Sequence, residues 1–146
     1  MMDKISIKDR SELMRKVRSE NTRPEMIVRR LVHKLGYRYR LHCSELPGRP
    51  DLVFRGRAKV IFVHGCFWHR HSDPNCKLAR IPKSRQEYWV PKLLRNRERD
   101  IRDQRELKKM EWDYLVIWEC ELHDLDALTT RVQEFLGNRP SKVFPD

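Results

Sequence analysis

The stretch DLVFRGRAKVIFVHGCFWHRHSDPNC, residues 51–76, contains both the strands that indicate the fold and the residues that indicate chemistry. It begins with the apolar run DLVF at 51–54 and continues, after the connection RGRA, with the β-branched and aromatic run KVIFV at 59–63. Two short apolar runs joined by a brief polar connection are typical of a β-hairpin. The second run leads into a segment rich in His, Cys, Phe and Trp. We therefore predict a hairpin that ends in a functional loop.

Two amphipathic helices are predicted outside the hairpin, one before it and one near the end of the chain. Thr22 and Glu25 have the spacing of a capping box, and Gly36 follows the apolar stripe as a left-handed cap. Asp124 is predicted to cap the final helix, which Gly137 closes. The apolar stripe of that final helix consists of Leu125, Leu128, Val132, Phe135 and Leu136. Both patterns indicate helices that bury one face.

A long charged helix and a further strand are predicted between these two. Ser84 and Glu87 have capping-box spacing, the helix runs to about Met110, and Pro91 should kink or restart it. YLVIW at 114–118 is a continuous apolar run, which is the pattern of a central strand buried on both faces.

The order of these elements predicts the fold class. With YRYRL at 37–41 as the first strand, the order is α-β-β-β-α-β-α. A strand, a long helix and a second strand imply a parallel pair, whereas the hairpin is antiparallel. We predict an α/β fold with a mixed β-sheet flanked by helices. Without repeats or linkers, the chain divides into a basic N-terminal arm with a short helix, 1–20, and a single domain, 21–146.

The charge balance indicates a polyanionic partner. The chain of 146 residues has 32 Lys plus Arg against 21 Asp plus Glu, a net charge of +11. Such an excess most often accompanies nucleic-acid binding. No apolar run approaches the roughly 20 residues that span a bilayer, and the first residues lack a signal-peptide core. We expect a cytoplasmic protein, in which four cysteines favour metal ligation or reduced thiols over disulfides.

Metal-ligating residue types recur at regular spacing after the hairpin. Cys66, His71 and Cys76 are five residues apart, and Cys120 directly follows the 114–118 run. If the strands at 59–63 and 114–118 are neighbours, Cys120 lies beside the loop. Four nitrogen and sulfur ligands suit a tetrahedral structural zinc site. Spacing alone leaves two alternatives open: reduced cysteines beside a surface histidine, or His69 as the ligand in place of His71.

Asp51 is a candidate oxygen ligand for a catalytic metal. It follows the turn LPGRP and begins a predicted strand. Phosphodiester hydrolysis requires a cation that neutralises charge and activates water, and Mg²⁺ can be held by one carboxylate and a backbone carbonyl. The alternative is a turn residue that only begins the strand. The second acid and the lysine common in such nucleases are missing, and Phe62, Val63 and His64 stand in their place.

Large aromatic side chains accompany these polar residues. Phe67 and Trp68 follow a Gly-Cys turn, and Trp89 lies in the first turns of the long helix. In a basic protein such rings can stack on bases or wedge between them, although core packing is the alternative for each. Trp112 and Trp118 are assigned to the core because they flank or end a predicted strand.

Several of these segments together resemble the very short patch repair DNA mismatch endonucleases. The resemblance rests on RSENTRPE, LPGRPDLVF, VIFVHGCFWHRH, EYW followed by Lys92, Asn96 and ERD, and VIWEC, in that order from about residue 10 to 136. It implies a variant of the restriction-endonuclease fold with a structural zinc site. It also implies a Mg²⁺-dependent nick in double-stranded DNA, 5′ to the T of a T·G mismatch left by deamination of 5-methylcytosine.

The same resemblance implies roles for individual residues. Asp51 would bind Mg²⁺ with the main-chain carbonyl of Val63, and His69 would be the general base. His64 and Glu25 would position water or polarise the phosphate. The implied zinc ligands are Cys66, His71, Cys76 and Cys120. The implied DNA-contacting residues are Phe67, Trp68 and Trp89 as wedges, Met14 of an N-terminal helix, and Lys92 and Asn96.

Two positions depart from the family pattern, and two alternative functions remain open. Position 63 is Val where family members often carry Thr, which should matter little for a main-chain ligand. Residues 72–75 lengthen the loop before Cys76 and are predicted to form an outward turn. The alternatives are a nuclease of the same fold with another DNA substrate and a non-catalytic zinc DNA-binding module. Beyond mismatched DNA, we expect mismatch-repair proteins as partners, a bacterial cytoplasmic or nucleoid location, and a monomer.

Overall fold

A computed structural model describes residues 21–137, so the predicted arm over 1–20, with Met14, lies outside the described residues. The elements occur in the predicted order. The helices are α1 (Arg23–Lys34), α2 (Gln86–Lys109) and α3 (Leu125–Leu136), and the strands are β1 (Arg40–Leu41), β2 (Leu52–Phe54), β3 (Lys59–His64) and β4 (Asp113–Trp118). None of the described helices is long and apolar enough to cross a bilayer.

The four strands form one mixed sheet in the order β1-β2-β3-β4. β2 and β3 are the predicted antiparallel hairpin, with Leu52 opposite Ile61. β3 and β4 pair in parallel, with His64 opposite Trp118, and α2 forms the connection between them. The prediction of a mixed sheet with one helical crossover is confirmed.

Helices cover both faces of the sheet because each strand alternates apolar side chains between two cores. One core joins Leu52, Phe54 and Ile61 to side chains of α1 and α3. The other joins Val53 and Val60, among others, to α2. The helical residues buried in these cores are Val28 and Val32 of α1, Leu128, Val132 and Leu136 of α3, and Leu107 of α2. Burying such side chains contributes about 1.5–3 kcal/mol each.

The caps predicted for α1 and α3 are present. Oγ1 of Thr22 accepts the N–H of Glu25 at 3.3 Å, and Oδ1 of Asp124 accepts the N–H of Ala127 at 3.1 Å. The carboxylate of Glu25 does not complete a capping box on Thr22, because it accepts the N–H of Asn21 instead. Glu25 is therefore held at the beginning of α1 and directed toward the sheet.

Strand β4 corrects the prediction of a central strand. It lies at the edge of the described sheet, and of its residues only Ile117 is fully buried. Its continuous apolar run has another cause: Leu115 and Ile117 pack in the core with α1 and α3, whereas Tyr114 and Val116 pack toward α2. An edge strand covered on both faces has the same composition as a central one.

Three other boundaries differ from prediction. Strand β1 has two residues rather than five, because Tyr37 turns into the core and its hydroxyl donates to the carbonyl of Gly137. Helix α2 begins at Gln86, where Arg85 in a left-handed conformation replaces the predicted Ser84 cap, and it continues through Pro91 without a break. Leu125, predicted in the apolar stripe, is exposed.

Position 48 in the LPGRPD turn requires glycine, because its backbone conformation is left-handed and there is no room for a Cβ. Its φ is +80°, and a Cβ there would lie 2.9 Å from Cε1 of the buried Phe62 and 3.1 Å from Cβ of Asp103. Strain and overpacking add, so Gly48→Ala should lower the free energy of unfolding by about 2–4 kcal/mol, measured by urea denaturation. Gly56→Ala is the control, because Gly56 is exposed and outside the left-handed region. Equal stability of the two variants would contradict the prediction.

Candidate active site and metal centre

An open cleft of about 1140 Å³ lies where β2 begins, β3 ends and α2 passes over the sheet. The LPGRPD turn forms one wall, and residues 87–103 of α2 form the opposite wall. The predicted site residues that line the cleft are Asp51, Val63, His64, His69, Lys92 and Asn96. Three segments that are distant in sequence thus meet in one concave surface.

Asp51 is fixed by the main chain of the neighbouring strand. Its Oδ2 accepts the N–H of Val63 at 2.7 Å. Burial raises the pKa of Asp51 from 3.8 to about 7, with a further rise from the nearby Glu25, although the Val63 bond and Arg49 oppose the shift. A half-buried carboxyl group with a raised pKa gains much by binding a cation that replaces its proton.

Strand geometry directs the carbonyl of Val63 toward the segment that contains Asp51. In a β-strand the N–H and C=O of one residue point to the same neighbour, and the N–H of Val63 points to Asp51. The register Leu52↔Ile61, continued by two residues, would place Pro50 opposite Val63. Proline has no N–H to donate to that carbonyl. Asp51 and Val63 therefore offer oxygen ligands of the type that Mg²⁺ prefers.

Glu25 reaches the same place from the first turn of α1. Its side chain is 3% exposed, with Oε1 accepting the N–H of Asn21 at 3.0 Å and Oε2 lying 2.8 Å from Nε2 of His42. Ligand atoms of Glu25, His42 and Asp51 lie within 4.8 Å of one another. Glu25, predicted to position water or polarise the phosphate, thus lies beside Asp51, whereas His42 was not predicted.

His64 and His69 form a stacked pair at the end of β3. Their rings are 3.8 Å apart and tilted by 6°. Burial lowers the pKa of His64 well below its usual value, and His69 lowers it further, so His64 is neutral. Nδ1 of His69 lies 2.6 Å from Oδ2 of Asp100 on α2. A carboxylate accepts the hydrogen bond here, so Nδ1 is the donor, and in the neutral tautomer of His69 that this requires Nε2 is left free to accept a proton.

The three predicted cysteines and His71 converge beside this cleft. Ligand atoms of Cys66, His71, Cys76 and Cys120 all lie within 4.8 Å of one another, and Cys66 is fully buried. Cys120 joins the group because the parallel pairing of β3 and β4 brings its segment alongside the loop. Burial raises the pKa of the Cys66 and Cys120 thiols, so a cation is needed to favour their thiolate forms. Three thiols and one imidazole fit a tetrahedral Zn²⁺ site.

The loop backbone separates the two histidines that spacing left open. The N–H of His69 donates to the carbonyl of Gly65, and the N–H of His71 donates to the carbonyl of Cys66. His69 faces Asp100, whereas His71 faces the cysteines. The longer segment 72–75 is an exposed turn, as predicted.

Trp118 corrects the prediction of a core residue. It is half-buried and lies between the two groups, with its ring stacked on His71 at 4.3 Å and edge-on to His64 at 5.3 Å. Trp118 therefore packs against one histidine of the cleft and against the histidine of the Cys/His group.

The predicted wedge residues form an aromatic cluster at the cleft edge. Phe67, Trp68 and Trp89 have ring centroids 5.0–5.8 Å apart, and all three are partly exposed. Tyr88, which was not among the predicted wedge residues, extends the cluster at 4.9 Å from Trp89. Nζ of Lys92 lies 5.9 Å above Trp68. A partly exposed, mutually supported aromatic group is suited to contact with an apolar partner surface.

Helix α2 connects the aromatic cluster to the polar cleft. Asn96 is buried. Its Nδ2 donates a hydrogen bond to the carbonyl of Trp68 at 3.1 Å, and its Oδ1 accepts one from Arg99. Arg97 donates to the carbonyl of Arg70 at 2.9 Å. Asn96 and Arg97 therefore hold the loop in place, whatever further contacts they make.

Three residues with direct contacts in the site were missed by the sequence prediction. Asp100 had a detectable signal, because it lies four residues after Asn96 and thus on the same helical face. His42 and Trp118 had no such signal, since their contacts arise only from the pairing of strands that are distant in sequence.

Comparison with known proteins gives consistent matches. The family model described as DNA mismatch endonuclease Vsr matches residues 2–76. A type II nicking enzyme, V.XorIIP of Xanthomonas oryzae pv. oryzae, is 51% identical over 136 residues, covering 93% of this chain and 98% of that protein. The type II nicking enzyme V.NmeAIP of Neisseria meningitidis serogroup A is 41% identical, covering 84% and 85%. The DNA mismatch endonuclease Vsr of Escherichia coli K12 is 39% identical, covering 87% and 83%.

Proposed function

The chain belongs to the Vsr family of DNA mismatch endonucleases, and from this we propose that it nicks double-stranded DNA 5′ to the T of a T·G mismatch by Mg²⁺-dependent hydrolysis. The observation that carries the proposal is one cleft in which Asp51 and Val63 stand opposite the His69–Asp100 pair, with the aromatic cluster at its edge. Residues that would bind the metal, accept the proton and contact the bases are thereby adjacent.

Asp51 and the carbonyl of Val63 would hold Mg²⁺. Both supply oxygen, and the strand register directs the carbonyl toward the segment that contains Asp51. The bound ion would neutralise the phosphate and lower the pKa of water. Glu25 is 26 residues before Asp51 in sequence but adjacent to it in space, and its carboxylate would add negative charge beside the ligands.

His69 would accept the proton of the attacking water. The Asp100 carboxylate fixes its Nδ1–H tautomer and would stabilise the imidazolium that forms, which leaves Nε2 as the base. The neutral His64 stacks flat on this ring and restricts its rotation. Lys92, Arg95 and Arg99 line the same cleft and would neutralise DNA phosphates.

The Cys/His group would hold Zn²⁺ as a structural site. Its four donor groups would fill the tetrahedral coordination of Zn²⁺, which would leave no position for a substrate. Cys66 and His71 bracket the residues that face the cleft and the DNA. Because the metal would fix Cys66 and His71, it would also fix the orientation of the three side chains between them that face the cleft and the DNA: Phe67, Trp68 and His69.

The aromatic cluster would recognise the mismatch by wedging into the duplex. Prying open a stacked step costs a few kcal/mol, and a mismatched step costs less than a paired one. Phe67, Trp68 and Trp89 support one another by edge contacts, so they would enter as a preformed unit. Such selection favours weakened sites over intact duplex.

A nicking assay tests this function. Duplexes that differ only in carrying T·G, T·A or C·G at one position are incubated with the protein and either Mg²⁺ or EDTA. We expect a nick only with T·G and Mg²⁺, 5′ to the T, resolved on a denaturing gel. Equal cutting of all three duplexes would indicate a nuclease with another substrate. Tight binding without cutting would indicate a binding module.

A further inference from the structure

His42 contacts both carboxyl-bearing segments of the cleft. Its Nε2 donates to Oε2 of Glu25 across 2.8 Å, and its main-chain N–H donates to the carbonyl of Asp51 at 3.1 Å. Its side chain is only 12% exposed, and its φ is +46°. A non-glycine residue rarely adopts this conformation, so surrounding contacts hold it there. His42 thus joins the beginning of α1 to the beginning of β2.

The Glu25 carboxylate also has partners within and just before α1. Oε1 accepts the N–H of Asn21 at 3.0 Å, and Arg29, one turn further along α1, lies 3.4 Å from Oε2. Nη1 of Arg29 also donates a hydrogen bond to Oδ1 of Asn21 at 2.9 Å. His42 approaches Oε2 of Glu25 more closely than Arg29 does, at 2.8 Å against 3.4 Å, and it comes from the segment that precedes β2. Without the His42 side chain, attraction to Arg29 would draw the carboxylate back along α1.

We propose that His42 is a positioning residue for nicking, which holds the Glu25 carboxylate beside Asp51. The inference rests on the proposed function, because it matters only if Glu25 and Asp51 serve the reaction. His42 is not among the described residues that line the cleft, and it would act through Glu25, whose carboxylate it contacts and which lies within 4.8 Å of Asp51. Its main-chain bond to Asp51 survives any side-chain change. A side-chain substitution therefore changes the Glu25 contact and leaves this main-chain bond in place.

Two matched substitutions test the inference. His42→Ala removes the side-chain donor, and His42→Gln keeps an N–H donor; both retain Cβ at the same φ and thus the same backbone cost. We expect His42→Ala to slow single-turnover nicking of the T·G duplex about 10–100-fold, as for other residues that only orient a metal site. His42→Gln should recover most of that loss, and DNA affinity should not change. His33→Ala, an exposed histidine on α1, is the control.

A double-mutant cycle separates positioning from general stability. If His42 acts only through Glu25, then His42→Ala should change the rate of the Glu25→Gln variant by less than about twofold. Wild-type nicking by His42→Ala would overturn the inference. So would multiplied losses in the double variant, or equal losses for Ala and Gln that track urea stability. Wild-type nicking by Glu25→Gln would instead refute the role of Glu25, and failure of the wild type to nick would refute the proposed function.

Discussion

Asp51→Asn is expected to lower the nicking rate by more than about 100-fold while the affinity for T·G DNA stays close to that of the wild type. Loss of a residue that only orients a metal ligand costs 10–100-fold, so loss of the ligand charge should cost more. The amide oxygen can still accept the N–H of Val63, which preserves the fold. Single-turnover nicking with Mg²⁺ and fluorescence anisotropy in EDTA measure the two quantities. Glu45→Gln is the control, since that carboxylate is exposed.

The raised pKa of Asp51 adds a pH dependence to this result. In the metal-free protein the carboxyl holds a proton below about pH 7, and Mg²⁺ must displace it. The Mg²⁺ concentration for half-maximal nicking should therefore rise about tenfold per pH unit below 7 and level off above it. Without metal, the stability contributed by the protonated form is full below 3.8 and is lost as the pH rises through about 7. Asp51→Asn should remove that loss, and rapid nicking by this variant would place the metal elsewhere.

Local patterns predicted the elements of the fold but not the position of β4. The caps Thr22 and Asp124 and the hairpin depend on neighbouring residues, so the sequence contains their full cause. The edge position of β4 depends on what covers its two faces, which its own residues do not specify. Ser84 failed as a cap because the left-handed Arg85 starts α2 one residue later.

For the site, residue types could be predicted and their partners could not. The His and Cys types around His64 indicated two sites, and the structure divides them between Asp100 and the cysteines. That division arises from α2 crossing over the loop, which no local pattern specifies. The assignment of Trp118 to the core was wrong for a similar reason. Its neighbours His64 and His71 become adjacent to it only through the pairing of β3 with β4, which its local sequence does not specify.

Cys120→Ser is expected to remove most of the bound zinc and to lower the free energy of unfolding by more than about 3 kcal/mol, because loss of a structural metal is among the most costly changes. Cys120 connects the end of β4 to the loop, as its N–H also donates to Sγ of Cys66 at 3.4 Å. Elemental analysis of the purified protein and urea denaturation measure the two effects. Cys43→Ser is the matched control, since Cys43 lies outside the cluster and its sulfur accepts only Arg55 among the described contacts.

The same variant also tests whether the metal fixes the orientation of the loop between Cys66 and His71. His69 and the wedge residues Phe67 and Trp68 lie between Cys66 and His71, so release of the metal should disturb both chemistry and recognition. Nicking of T·G DNA should fall together with the preference for T·G over T·A, at temperatures where the variant is still folded. A variant that loses zinc but keeps its rate and preference would show that Asn96 and Arg97, which hold Trp68 and Arg70 from α2, suffice to fix the loop. Full zinc content in Cys120→Ser would reject Cys120 as a ligand.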